Sequence, residues 1–289
     1  MFLPDEFNRV VSFASQKGGV YKTALIANIG YLFSTADQRI LLIDLDPQAN
    51  LQDDLGYEEH EDNDHGLSLA AALIGNGQPK RINIRPNIDV IPGGEHIRSI
   101  MGPLAMQPEI TVYALARAIK DFVGDYDLVL IDLPPGDRAL RLAAFGASRY
   151  VMVPTKSDKS SIKGTLEIAL DINRISRPGG ENESLSLLGL TLLGSAEGST
   201  AIKRLARDTM HMVYSEDEIP ELFESTIRSM ESVAQISRLV GRAYAEQAEM
   251  GLEIGRVAAR NAGVLIGDVT RIAEEMLERI ASIESAEQE

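Results

Sequence analysis

Apolar residues in this chain gather in short blocks separated by longer stretches with helical spacing. The blocks are "RVVSFAS" from Arg9, "RILLIDLD" from Arg39, "IDVIPGG" from Ile88, "YDLVLIDLPP" from Tyr126, "RYVMVP" from Arg149 and "LSLLGLTLLG" from Leu185. Each is rich in β-branched or leucine residues and bounded by polar or turn residues, the pattern of a strand buried on both faces. Between them, Lys22 to Phe33, Thr111 to Phe122, Arg138 to Ala147, Ser160 to Ile175 and Thr200 to His211 have helix length and periodicity. Alternating strands and helices predict an α/β fold: a doubly wound, mostly parallel sheet flanked by helices, with ligands outside the carboxyl ends of the strands. From about Gly251 the pattern turns purely helical, and Leu265, Val269, Ile272, Met276, Ile280 and Ile283 form one stripe. The expected organisation is a domain over 1–250 and a C-terminal helical extension over 251–289. That extension is expected to pack on its own domain, with a partner or self-association helix as the alternative.

Composition narrows the function classes. With 289 residues and 44% hydrophobic content, the chain can bury a large core. No apolar run approaches the length of a bilayer span, and "MFLPDEFNRV" lacks the basic start and apolar stretch of a secretory signal, so a cytoplasmic location is expected. The absence of cysteine excludes disulfides, thiolate metal sites and cysteine-held iron–sulfur clusters. A net charge of −15 repels polyanions overall, so contact with nucleic acid requires a local basic patch. The acidic stretch Asp53 to Gly66 reads as a solvated, turn-rich loop, since its carboxylates lack EF-hand spacing.

The candidate chemistry begins at "SFASQKGGVYKTALIANIG", Ser12 to Gly30, which leaves a strand and opens a helix. That context suits a phosphate loop, in which backbone N–H groups and the helix N-terminus converge on an anion. Gly18 and Gly19 allow close backbone approach, Lys22 would reach the β- and γ-phosphates, and Thr23 would place its hydroxyl on Mg²⁺. Two later strands end in Asp44 with Asp46 and in Asp132. Carboxylates at the tips of buried strands are costly without a cation or ordered donors, and all three face the same crevice as Lys22 and Thr23. Asp132 has the position of a carboxylate that holds Mg²⁺ through water, while Asp44 or Asp46 could orient the attacking water for phosphoryl transfer.

Lys17-Gly18-Gly19-Val20-Tyr21-Lys22-Thr23 resembles the deviant Walker A motif, KGGxGKT, of the ParA/MinD-type ATPases. "LIDLDPQAN" resembles that family's second motif and is closest to the ParA branch, and "YDLVLIDLPPG" followed by "YVMVPTKSD" resembles its Walker B strand and the strand after it. The likeness runs from about Arg9 to Ala248. It implies a slow, activator-stimulated ATPase that uses ATP and Mg²⁺, forms a homodimer on binding ATP and holds nucleotide through Lys17, Gly18, Gly19, Val20, Tyr21, Lys22, Thr23 and Ala24. It further implies that Lys17 reaches the partner's phosphates, that Asp46 activates water beside Lys22, and that Thr23, Asp44 and Asp132 serve the metal.

The sequence departs from the family pattern at Tyr21 and Ala49, where glycine is usual, and at Ala24. Tyr21 could crowd the phosphates or demand a backbone angle that glycine alone adopts easily; the reading adopted here is that it points outward, toward a partner or the base. Gly194 or Ser195 stands where the family often has an asparagine, leaving adenine recognition unassigned.

In the ParA branch the ATP-bound dimer coats DNA non-specifically and a ParB-like adaptor stimulates hydrolysis, which moves plasmid, chromosome or other cargo over the nucleoid. The matching DNA contacts here are Lys203, Arg204 and Arg207, on one face of a helix, with Arg228. The missing cysteines exclude the nitrogenase iron protein and the iron–sulfur carrier ATPases. Seven acids against two arginines from Asp268 to Glu289 disfavour a MinD-like membrane helix, so no membrane partner is expected. A catalytically silent dimerisation scaffold and a MinD-like spatial regulator are the alternative functions.

Overall fold

Side chains alternate so strictly along the central strands that one sheet serves two cores. Val10, Leu41, Ile43, Val129, Ile131, Val151 and Val153 face one apolar cluster. Val11, Phe13, Ile40, Leu42, Leu128, Leu130 and Met152 face the other. A computed structural model describes residues 5–19, 21–156, 158–193, 200–215, 222–228, 231–251 and 255–288. Val20, Gly194 and Ser195 lie outside them.

The strands are β1 (Val10–Phe13), β2 (Ile40–Asp44), β3 (Ile82–Arg85), β4 (Ile88–Ile91), β5 (Leu128–Asp132), β6 (Tyr150–Lys156) and β7 (Ser186–Leu193). They form one sheet in the order β3-β4-β2-β5-β1-β6-β7. All neighbours are parallel except β3 and β4. The doubly wound sheet read from the sequence is therefore present, and β3 is an addition at its edge. β3 carries polar and half-exposed positions, so it lacks the apolar run that marks the other strands.

The helices are α1 (Lys22–Ser34), α2 (Asn50–Leu55), α3 (Leu67–Leu73), α4 (Arg98–Ala105), α5 (Pro108–Thr111), α6 (Ala114–Ile119), α7 (Arg138–Phe145), α8 (Lys159–Ser176), α9 (Thr200–Met210), α10 (Glu231–Val240), α11 (Tyr244–Met250) and α12 (Arg256–Gln288). The stretch read as one helix from Thr111 to Phe122 is divided between α5 and α6. The stretch read as an acidic loop from Asp53 begins inside α2, where Leu51 and Leu55 are buried and Asp54 is drawn in with them.

The C-terminal stripe packs on its own chain. Leu265, Val269, Ile272, Met276 and Ile280 are buried in the cluster that α1 and the sheet share, and Ile283 is half-buried against it. The last turns of α12 are tied to the starts of two strands: Arg9 donates to Glu284, Arg149 to Glu287, and the Tyr150 hydroxyl to Glu284 at 3.2 Å. Among the described residues, no helix is long and apolar enough to cross a membrane.

Candidate nucleotide site

Neighbouring parallel strands in register bring the acidic residues together. Asp44 ends β2 directly beside Asp132, which ends β5, and β5 pairs with β1, from which the loop 14–21 departs. Asp44 and Asp132 are fully buried and Asp46 nearly so. Lys22, the first residue of α1, is buried too, and its ammonium donates to Asp132 Oδ1. The Asp46 N–H donates to Asp44 Oδ1 at 2.8 Å, and the Gln48 N–H donates to Asp46 Oδ1 at 2.8 Å. Among the described residues, Asp44 Oδ2 and Asp132 Oδ2 have no hydrogen-bond partner.

Burial, then the charge of Asp132, pushes the Asp44 carboxyl well above its ordinary range. Asp46 is raised as well, mainly by burial. Gly93, after β4, permits this crowding: a Cβ there would lie 2.6 Å from the Asp44 carbonyl oxygen and 2.7 Å from its Cγ. Sequence reasoning placed Gly93 at a strand end without seeing that it backs Asp44.

The loop encloses a cavity of about 250 Å³ lined by Ser15, Lys17, Gly18, Gly19, Tyr21, Lys22, Thr23 and Ala24, with Asp46, Gln48, Asn50, Pro135 and Arg238 completing the wall. Every described member of the loop set read from the sequence thus meets one space. Beside it, Asp46 and Pro135 also line a wider, open cleft with Arg98, Met101 and Asp137. Arg98 partly offsets the upward shift of Asp46 by its charge.

Tyr21 adopts the left-handed conformation, with φ 52° and ψ 18°, so the angle that glycine favours is kept by a tyrosine. Its ring is half-buried against the apolar cluster on the α1 side of the sheet while it lines the cavity, rather than projecting freely outward. Ala49, the other replaced glycine, does the same with φ 52°.

Lys17 lines the cavity and bonds to the start of α8. Its ammonium donates to Ser160 Oγ and lies 3.7 Å from Asp158 Oδ1, at the N-terminus of α8. Asp158 caps that helix, accepting from the Ser160 and Ser161 N–H groups, and hydroxyl hydrogen bonds from the same serines hold its carboxyl below the usual range. Neither Asp158 nor Ser160 was singled out from the sequence, although "KSD" lay within a quoted strand motif.

The four basic residues considered for DNA do not share one environment. Arg204 and Arg207 are exposed on α9, with Arg204 4.0 Å from Asp208. Lys203 pairs with Glu224 at 2.8 Å. Arg228 forms a two-pronged pair with buried Asp268, at 2.7 and 2.9 Å, which fixes the chain after β7 onto α12.

A family model described as an AAA domain matches residues 8–187. The chain belongs to this family, and relatives it matches include chromosome partitioning proteins of the ParA and Soj type. The chromosome partitioning protein ParA of Myxococcus xanthus is 28% identical over 188 residues, which are 64% of this chain and 64% of that protein. The chain thus aligns with just under two thirds of that relative's length. The structure of pNOB8 ParA superposes with a TM-score of 0.76 at 23% identity, over 95% of this chain and 99% of that one, a likeness of fold. Cobyrinic acid a,c-diamide synthase from Mycobacterium smegmatis, solved with a bound ATP analogue and magnesium, is 28% identical with a TM-score of 0.62, over 85% of this chain and 96% of that one. One fold therefore carries more than one chemistry.

Proposed function

We propose that the chain binds ATP with Mg²⁺ in the loop cavity, dimerises in that state, and drives partition of DNA or positioning of another cargo. The observation that carries this reading is that Lys22 and Asp46 line the cavity formed by the loop, while Lys22 bonds Asp132, which lies in register beside Asp44. Two unpartnered, fully buried carboxylate oxygens, on Asp44 and Asp132, suit a divalent cation shared with phosphates. Among the described residues, no group of three or more His, Cys, Asp or Glu is placed to hold a metal ion.

When bound, Mg²⁺ would be held by Thr23, Asp44 and Asp132 and would supply charge neutralisation for phosphoryl transfer. The loop's backbone N–H groups and the N-terminus of α1 cradle the phosphates. Lys22 exchanges Asp132 for the phosphates. Asp46, held next to Asp44 by its own backbone N–H, orients the attacking water. Lys17 leaves Ser160 and Asp158 to reach the partner subunit's phosphates, which couples slow hydrolysis to dimerisation. Arg204 and Arg207, exposed on α9, offer non-specific contacts to DNA phosphates. A ParB-like adaptor stimulates turnover, and the working place is the nucleoid in the cytoplasm. Residues 1–250 form the ATPase unit and 251–289 its helical extension.

Sedimentation with ATP against ADP, and turnover with and without non-specific DNA and a candidate adaptor, test the proposal. Expected are a dimer only with ATP and slow turnover that rises with both additions. A chain that stays monomeric with ATP and releases no phosphate under any of these conditions overturns it. A dimer without turnover, cured by Tyr21→Gly, would instead identify the silent scaffold.

A further inference from the structure

Among the described residues, the cavity wall contains one cation from the distant part of the chain, Arg238 on α10. Its guanidinium is half-exposed, with Nε 3.5 Å from Asp54 Oδ1 on α2. Asp54 is buried, and among the described residues neither of its carboxylate oxygens makes a well-formed hydrogen bond. The contact is thus loose, in contrast to the two-pronged pair between Arg228 and Asp268.

The backbone that carries Arg238 is firmly held. Gly241, the residue after α10, crosses Gly56, the residue after α2, so closely that a Cβ on Gly241 would lie 2.4 Å from the Gly56 Cα. Arg85 bolts the crossing by donating to the Leu55 carbonyl at 3.1 Å and the Gly241 carbonyl at 3.0 Å. A loosely paired side chain on a fixed base, bordering a phosphate cradle, can change partner by rotation alone. Guanidinium geometry matches phosphate oxygens better than a single 3.5 Å carboxylate contact does.

Building on the ATP reading above, we infer that Arg238 is a phosphate-binding residue of the nucleotide site, held against Asp54 until the nucleotide enters and then transferred to a phosphate oxygen. The vacated carboxyl remains tolerable because burial already raises its pKa to about 7, so it can hold a proton in place of the guanidinium.

The test is calorimetry of Mg²⁺ and ATP binding to the full chain. Wild type and Asp54→Asn are compared with Asp54→Asn carrying Arg238→Lys or Arg238→Gln. Asparagine at 54 prevents a stranded buried charge from confusing the result. Asp54→Asn should bind ATP at least as tightly as wild type, since nothing charged then competes for Arg238. Adding Arg238→Gln should weaken ATP tenfold or more, and Arg238→Lys should recover at least half of that loss on a logarithmic scale. ATP affinities within twofold across the set, or equal losses for Lys and Gln, overturn the inference. A wild-type chain that takes up no ATP removes the ATP reading itself; normal wild-type binding with unaltered variants removes only the role of Arg238.

Discussion

The ammonium of Lys22 is bonded to the carboxylate of Asp132 beneath the loop, with both side chains buried. The residue expected to grip phosphate is therefore also the partner of a buried acid. Lys22→Ala should lower stability without nucleotide, by up to about 3–5 kcal/mol, because it strands Asp132 beside Asp44. Urea denaturation measures this, and adding Asp132→Asn should return part of the loss. Equal stability of Lys22→Ala and wild type would show that the pair contributes nothing to the empty fold.

Tyr21 and Ala49 both hold the left-handed backbone region that glycine favours. Ala49 has little side chain to lose, so Ala49→Gly should stabilise the chain by about 0.5–1 kcal/mol, the strain relief exceeding the added freedom of the unfolded state. Tyr21→Gly gives up the ring's packing on the apolar cluster, and its net effect on thermal stability should be smaller or reversed. A thermal melt of each variant decides the order.

Asp54 gives a pH dependence of definite sign. Burial raises its pKa to about 7, the charge of Arg238 opposes the rise, and those of Asp132 and Asp53 add to it. The folded chain then holds a proton that the unfolded chain has released above about pH 4. This contribution to stability falls as pH rises from there and flattens above about 7. Asp54→Asn removes the dependence, so its stability relative to wild type should grow with pH by at most about 1.4 kcal/mol per unit. Paired urea titrations at pH 5 and 7.5 check it; a gap that stays constant or shrinks contradicts the assignment.

The basic residues should separate into two behaviours. Arg204→Ala with Arg207→Ala should leave thermal stability nearly unchanged, weaken DNA retention at moderate salt, and reduce the salt slope by about 2. Arg228→Ala should lower thermal stability only slightly, since its exposed position and Arg271, which also pairs with Asp268, moderate the loss, and should leave the salt slope as it was. Fluorescence anisotropy across a salt series reads both. Loss of slope on Arg228→Ala alone would move that residue to the DNA face.

The six apolar blocks from Arg9 to Gly194 were legible as strands because each is buried on two faces and needs no partner pattern to be recognised. β3 escaped notice because an edge strand carrying Asn83 and Arg85 resembles a loop. Lys22, Asp44, Asp46 and Asp132 could be read because a strand end followed by a turn fixes their place locally. Arg238 could not, since it meets the loop only after α10 crosses α2, far along the chain. The same holds for Ser160 beneath Lys17: a serine at a helix start is ordinary until the fold lays an ammonium on it.

The long helix α12 covers the β1 and β6 side of the sheet and fastens its last turns to Arg9 and Arg149. Ribosomes therefore release the first strands well ahead of their covering, since the roughly hundred residues between β6 and α12 take about 5–20 s to synthesise. Throughout that interval the newborn sheet exposes an oily flank, and molecular chaperones have a defined window in which to meet it.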